Sequence, residues 1–268
     1  MRNSQPGIPD AGLFLQVSVH CENFMTDDPA IPESSLADDH QRLRIQYAEI
    51  ATLAGGLAHE IRNPLSTIGL NLDLLTEELG ECDSPRDRRI LNKLTMVKRQ
   101  CQQLNRILDD FLQFARVGTL TLKPADLNRT VLEFIEFYAP LAAEQGIDIS
   151  PHLAANLPPV KLDVDLWRQV LMNLSRNAQQ AMPNGGVLEL QTYQRDDRVV
   201  LDIIDNGGGM SPETQARMFD AFYSTKRDGS GLGLPTVRKI VEAHGGTISC
   251  ESEVGRGTRF SLAIPGAA

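Results

Sequence analysis

The chain has 268 residues, 41% of them apolar and 23% charged, with a formal net charge of −9. That length holds two modest domains, each with its own core, and an acidic balance without any basic run excludes nucleic acid as a partner. Cys21, Cys82, Cys101 and Cys250 show no Cys-x-x-Cys spacing and no histidine partner, so reduced thiols are expected rather than a zinc site or a disulfide framework.

The longest apolar run near the start, residues 11–19, is broken by Gln16 and Ser18. It is far shorter than the roughly 20 residues a membrane span needs, so no integral membrane segment is expected and the chain reads as cytoplasmic. Residues 1–36 carry Pro6, Pro9, Pro29 and Pro32 with scattered acids and no lasting period, and are expected to be mostly disordered.

From there to residue 79 the pattern is helical. Leu53, Leu57, Ile61, Leu65, Ile68, Leu72, Leu75 and Leu79 recur at steps of three and four and form one apolar stripe. His59 falls about 175° from the centre of that stripe on an ideal helix, facing solvent as a nucleophile must. Pro64 should kink or loosen the helix beside it, because its ring crowds the carbonyl of Glu60. Gly80 and Ser84-Pro85 supply a stop and a turn, and a second helix is expected over residues 86–116, with its own stripe from Leu91 to Phe114. A lone pair of helices covers both stripes poorly, so residues 37–117 are read as a hairpin that dimerises into a four-helix bundle, making the protein a homodimer.

Gly118 ends the second helix, and residues 118–268 alternate between strand and helix patterns. Strands are expected over residues 120–123, 147–151, 187–193, 199–205, 247–251 and 258–264, with helices over 127–145, 165–181 and 235–244. Residues 194–198 join the central hairpin. Helices mixed with antiparallel-leaning strands point to a two-layer α/β sandwich.

Four clusters in this second part carry the chemistry: Asn173-Leu-Ser-Arg-Asn177, Asp205-Asn-Gly-Gly-Gly-Met210, residues 219–226 ending in Lys226, and Gly229-Ser-Gly-Leu-Gly-Leu234. Asp205 ends an apolar strand, where a carboxylate needs a donor. The N6 amine of adenine would serve, whereas guanine would present the acceptor O6, so the residue type selects ATP over GTP. Gly207 and Gly209 let the backbone approach a base and sugar closely, although an ordinary strand-end turn would use the same glycines. Asn173 and Asn177 share one helix face, and the amide oxygen of Asn177 suits Mg²⁺, which takes one or two protein oxygens beside phosphates and water. Lys226 and the loop opening at Gly229 offer a cation and free N–H groups to phosphates. The spacing is not that of a P-loop.

In this order, and behind the histidine stretch, the clusters resemble sensor histidine kinases of two-component systems over residues 45–265. His59-Glu60-Ile-Arg-Asn63-Pro64 resembles the H box, Asn173–Asn177 the N box and Asp205–Gly209 the first glycine box, while Phe219–Lys226 resembles the F box and Gly229–Leu234 the second glycine box. The resemblance implies an α+β multidomain chain, with a helical hairpin forming a dimeric four-helix bundle and then a two-layer α/β sandwich of the GHKL (Bergerat) ATPase fold. It implies that His59 attacks the γ-phosphate of ATP, that Glu60 accepts the ring proton or orients the ring, and that Asn63 positions water when a partner is dephosphorylated. Nucleotide contacts are implied for Asn173, Asn177, Asp205, Gly207, Gly209, Lys226, Gly229, Gly231, Leu232, Gly233 and Thr258, with Mg²⁺ on Asn177. The implied partner is the receiver domain of a response regulator, phosphorylated on an aspartate. ATP-hydrolysing relatives of this fold place a glutamate four residues before the magnesium-binding asparagine, and here Asn173 stands there. An amide takes no proton from water, which leaves attack to an imidazole and disfavours a purely hydrolytic enzyme. A nucleotide-sensing scaffold is disfavoured by the completeness of the motifs. The geometry then requires the ATP domain to swing about residues 117–120 to reach His59.

Overall fold

The computed structural model describes residues 58, 60–79, 84–117, 120–226 and 229–266. The expected disorder of residues 1–36, the helix expected before residue 58, His59 itself and the Gly80 stop lie outside the described residues.

Residues 60–79 form α1, which runs unbroken across Pro64. Helix α2 spans Pro85–Arg116; the Ser84 hydroxyl caps it by accepting the Asp87 N–H at 3.1 Å, and Pro85 sits in the first turn, where its missing N–H costs nothing. Arg62 pairs with Asp109 at 2.6 Å and Lys98 pairs with Asp73. As the residue number rises along α1 it falls along α2, so the hairpin is antiparallel. Both pairs are about half exposed, so they mark register more than they stabilise. Apolar contact comes from Leu65, Leu72, Leu94 and Cys101 at one level and from Ala58, Leu112 and Ala115 at another. Ile61, Ile68 and Leu75 of the same stripe are uncovered, between 38% and 46% exposed.

Beyond residue 120 the chain builds a five-stranded sheet in the order β2-β4-β5-β7-β6, from β2 (Ile147–Leu153), β4 (Gly186–Arg195), β5 (Arg198–Asp205), β6 (Thr247–Glu253) and β7 (Gly257–Pro265). Helices α3 (Leu127–Glu144), α4 (Val164–Ala181) and α6 (Gly233–Ala243) supply the second layer. The core lies between the layers: Leu188, Leu190, Leu201, Ile203 and Leu262 from the sheet meet Phe134, Trp167, Leu171, Leu174 and Ile240 from the helices. This is the two-layer sandwich expected from the pattern.

Several details differ from expectation. The first strand is β1 (Lys123–Ala125), starting where the pattern predicted an end, and it pairs antiparallel with β3 (Val160–Leu162), which the pattern missed. Three-residue strands are too short to show alternation. Strand β2 runs parallel to β4, because the chain between them crosses over through α4 on the helical layer. The β4–β5 link is a two-residue turn with Asp196 at φ +55°, shorter than the five residues expected. A short helix, α5 (Pro212–Arg217), follows the glycines, capped by the Ser211 hydroxyl on the Thr214 N–H. Helix α6 starts two residues before Pro235.

One buried histidine joins two of these helices. His244, directly after α6, accepts the Asp163 N–H on Nε2 at 2.9 Å and donates from Nδ1 to the Ile240 carbonyl at 2.7 Å. Asp163 is the N-cap of α4, accepting the Leu166 N–H, and the ring meets Trp167 edge-on at 5.6 Å. Burial lowers the His244 pKa below its ordinary value, against the opposing effects of the Ile240 bond and the Asp163 charge. A depressed imidazole pKa means the unfolded chain binds the proton first, so this stability is complete above the ordinary value near 6.5 and declines as pH falls below it. Thermal melts should show the midpoint falling between pH 7 and 5 in the native chain, and a flatter fall in His244→Gln from a lower starting point.

Candidate functional site

Strand β5 carries Asp205 to the edge of the helical layer, paired in register with Leu188 on one side and Thr258 on the other. The residue is 6% exposed, and its carboxyl accepts the Gly207 N–H at 3.0 Å. Burial pushes its pKa up, while the N–H groups of Gly207 and Thr258 and the Lys226 charge pull it back down. The glycines after it are set by close packing. A side chain on Gly207 would strike the Ala181 carbonyl, and Gly209, at φ +64°, would meet the Glu253 carbonyl. The Gly208 N–H donates to Ala181 and the Met210 N–H to the Ser252 hydroxyl, so the loop is stitched to the end of α4 and to the β6–β7 hairpin. Gln215 of α5 reinforces this by donating to the carbonyls of Met210 and Ser252.

Helix α4 forms the opposite wall. Asn173, Asn177 and Gln180 lie at steps of four and three, and all three line the cleft. Tyr138 of α3 braces this helix from behind through Gln179 at 2.9 Å. Lys226, at the end of the segment that follows α5, reaches across to α4: its ammonium donates to Asn177 Oδ1 at 3.0 Å and also to Gln180 Oε1. The residue as a whole is exposed, yet its ammonium is turned into the cleft. Desolvation there lowers its pKa, with Asp205 opposing. The same segment folds back where the Phe222 N–H donates to the Gly231 carbonyl; Phe222 sits at φ +66° and Gly231 at φ +69°.

Together these walls enclose a cleft of about 570 Å³. Asn173, Asn177, Asp205, Gly209, Lys226, Gly229, Gly231, Gly233 and Thr258 all line it, as the motifs led one to expect. Gly207 and Leu232 do not. Gly207 turns the chain behind Asp205, and Leu232 is fully buried as the residue from which α6 starts, its carbonyl accepting the Thr236 hydroxyl. Glu60 and Asn63 are exposed on α1 and are not brought to the cleft. Arg176 and Gln180 went unremarked in the sequence, although their spacing from Asn173 puts them on its helix face. Arg106, Ile107 and Asp110 of α2 also line the cleft, and no local pattern announces them. Helix α2 is fastened there: Lys239 of α6 donates to the Phe114 carbonyl at 3.0 Å, Gln169 to Gln113 at 2.9 Å, and Val117 is buried in the sandwich core. The hinge expected at residues 117–120 is therefore packed at its first residue.

A buried carboxylate, an amide face, one inward ammonium and glycine-lined backbone define a nucleotide-binding sandwich of the GHKL kind, joined to a helical hairpin. Residues 49–120 match the His Kinase A (phospho-acceptor) domain, and residues 162–268 match the histidine kinase-, DNA gyrase B- and HSP90-like ATPases, together about two thirds of the chain. Sensor histidine kinase ZraS of Klebsiella oxytoca is 35% identical over 214 residues, which are 80% of this chain and 45% of that protein. Full-length ShkA, solved in complex with AMPPNP, has a TM-score of 0.63 and 31% identity over 81% of this chain and 46% of its own. ThkA in complex with the response regulator TrrA shares the fold at a TM-score of 0.61 and 24% identity, over 86% of this chain and 66% of that one. The chain spans less than half the length of the ZraS relative. It belongs to the histidine kinases of two-component systems. Among the described residues, no helix is long and apolar enough to cross a membrane.

Two of the cleft glycines should respond oppositely to a methyl group. Gly209→Ala should lose about 2 kcal/mol or more, since both its φ and the Glu253 carbonyl oppose a side chain. A Cβ on Gly233 meets nothing within 4 Å, so Gly233→Ala should leave stability unchanged or raise it by up to about 1 kcal/mol. Urea denaturation of the two variants checks both.

Proposed function

We propose that this chain is an ATP-dependent protein histidine kinase that phosphorylates itself on His59 and passes the phosphoryl group to an aspartate of a response-regulator receiver domain. The observation that carries this is the cleft itself. A buried acceptor, Asp205, lines it and suits the adenine amine, and Lys226 with the glycine-lined start of α6 lines it too and suits phosphates. Gly233 supports the fit, because nothing inside the protein requires a glycine there, whereas a ligand lying against the backbone would. Asn177 would hold Mg²⁺ through its amide oxygen, and Asn173 would contact the same ligand from the next turn. The metal's contribution is to neutralise phosphate charge.

The chemistry of the acceptor follows from residue types. A neutral imidazole nitrogen of His59 forms the P–N bond as the bond from the γ-phosphorus to the ADP oxygen breaks, and Glu60 takes or shares the ring proton. The P–N bond is labile, which suits a carrier, and an aspartate oxygen of the receiver then displaces the imidazole. Asn63 would position water when the enzyme instead removes the partner's phosphate. The use of ATP supports a cytoplasmic setting for this reaction. The second subunit of a homodimer would cover Ile61, Ile68 and Leu75 of α1 together with Met96, Val97 and Leu104 of α2, all well exposed in a single chain.

Incubation with γ-³²P-ATP should give acid-labile label on the native chain and none on His59→Gln. Asn177→Asp should lose labelling at least about 100-fold with its circular dichroism unchanged. Label retained by His59→Gln would overturn the assignment. Light scattering at micromolar concentration should report a dimer, and replacing Ile68 and Leu75 with glutamate should shift it to monomer.

A further inference from the structure

We propose that Gln180 is a positioning residue that keeps the Lys226 ammonium at the phosphate end of the cleft once a divalent cation occupies Asn177, an inference that rests on the ATP reading above. The geometry is that of one donor between two acceptors. Asn177 and Gln180 are three apart on α4, and the Lys226 ammonium donates to both side-chain oxygens. An ammonium has three N–H donors, so this arrangement leaves one for a phosphate oxygen.

The two acceptors differ in what else they must do. The Asn177 oxygen is the atom a Mg²⁺ ion would use, and two cations on one amide oxygen repel. When the metal binds, Lys226 therefore loses that partner, and Gln180 becomes its remaining tether to α4. Without it, a lysine on a flexible stem at the end of an exposed segment loses its fixed place and must be reordered at a cost in rotamer freedom. A neutral acceptor fits this task better than an acidic one. A carboxylate would hold the ammonium more strongly but would repel the phosphates the ammonium is there to meet. Gln180 is exposed at the cleft wall rather than packed in the core, so replacing it should leave the fold intact.

The test is ATP affinity of the full chain, measured by displacement of a fluorescent ATP analogue, in Mg²⁺ and in excess EDTA. Gln180→Met keeps the shape and removes the acceptor. With Mg²⁺ it should weaken ATP binding about fivefold, and in EDTA, where Asn177 still holds Lys226, less than about twofold. In a Lys226→Met background the same change should cost nothing further, since its partner is gone. Equal losses with and without metal, equal losses in both backgrounds, or no loss at all would each overturn the proposal while leaving the kinase reading intact. Failure of the native chain to bind ATP would overturn both. The full pattern of coupling with no label on His59 would uphold the role of Gln180 and overturn the kinase.

Discussion

A carboxylate at the end of a buried strand must find donors, and the local chain around Asp205 is arranged by that need. Its partners are backbone N–H groups, from Gly207 two residues after it and from Thr258 beside it on β7. To bring the Gly207 N–H back, the chain turns so tightly against the Ala181 carbonyl that no side chain fits. The next residues then run between the end of α4 and the β6–β7 hairpin and bond to each. One buried charge thus ties together the helix that bears the amide face and the hairpin that closes the sheet. The wall of the cleft at Asp205 follows from the same contacts that make the charge tolerable.

The hairpin obeys a different constraint. Its helices are amphipathic, but a pair of cylinders buries only the strip where they touch. Leu65 and Leu72 find cover from α2, while Ile61, Ile68 and Leu75 on the same stripe do not. The sandwich encloses a core of its own, with Trp167, Leu171, Leu174 and Leu201 fully buried, although Leu132, Phe137 and Leu141 of α3 stay exposed.

Much of this organisation was legible from residue order alone. The long helices declared themselves through period and punctuation: Ser84-Pro85 before α2, and Gly146, at φ +69°, after α3. Asp205 was legible because a charge is out of place at the end of Val199-Val-Leu-Asp-Ile-Ile, and nine of the expected cleft residues do line the cleft. Leu232, expected at the ligand from its place in a glycine motif, puts its side chain in the core and does not line the cleft. What stayed hidden depended on distance along the chain. The β1–β3 pair joins residues nearly forty apart. The parallel pairing of β2 with β4 is decided by the crossover rather than by either strand. Asp110 reaches the cleft only because α2 is fastened to α6, and no short window contains both. Helix α5 is a separate case, because Ser211-Pro212-Glu213 is a readable start that six residues cannot follow with a period.

Val117 gives the arrangement of hairpin and sandwich an energetic meaning. It follows α2, yet its side chain belongs to the core of the sandwich at 3% exposure. Withdrawing a valine from such a core costs about 2 kcal/mol. On that cost alone, molecules with the ATP domain released from α2 would be a minority of about 3%. Val117 shares that hold with the Lys239–Phe114 and Gln169–Gln113 bonds, so its burial sets a floor under the cost of parting the two units rather than the whole of it.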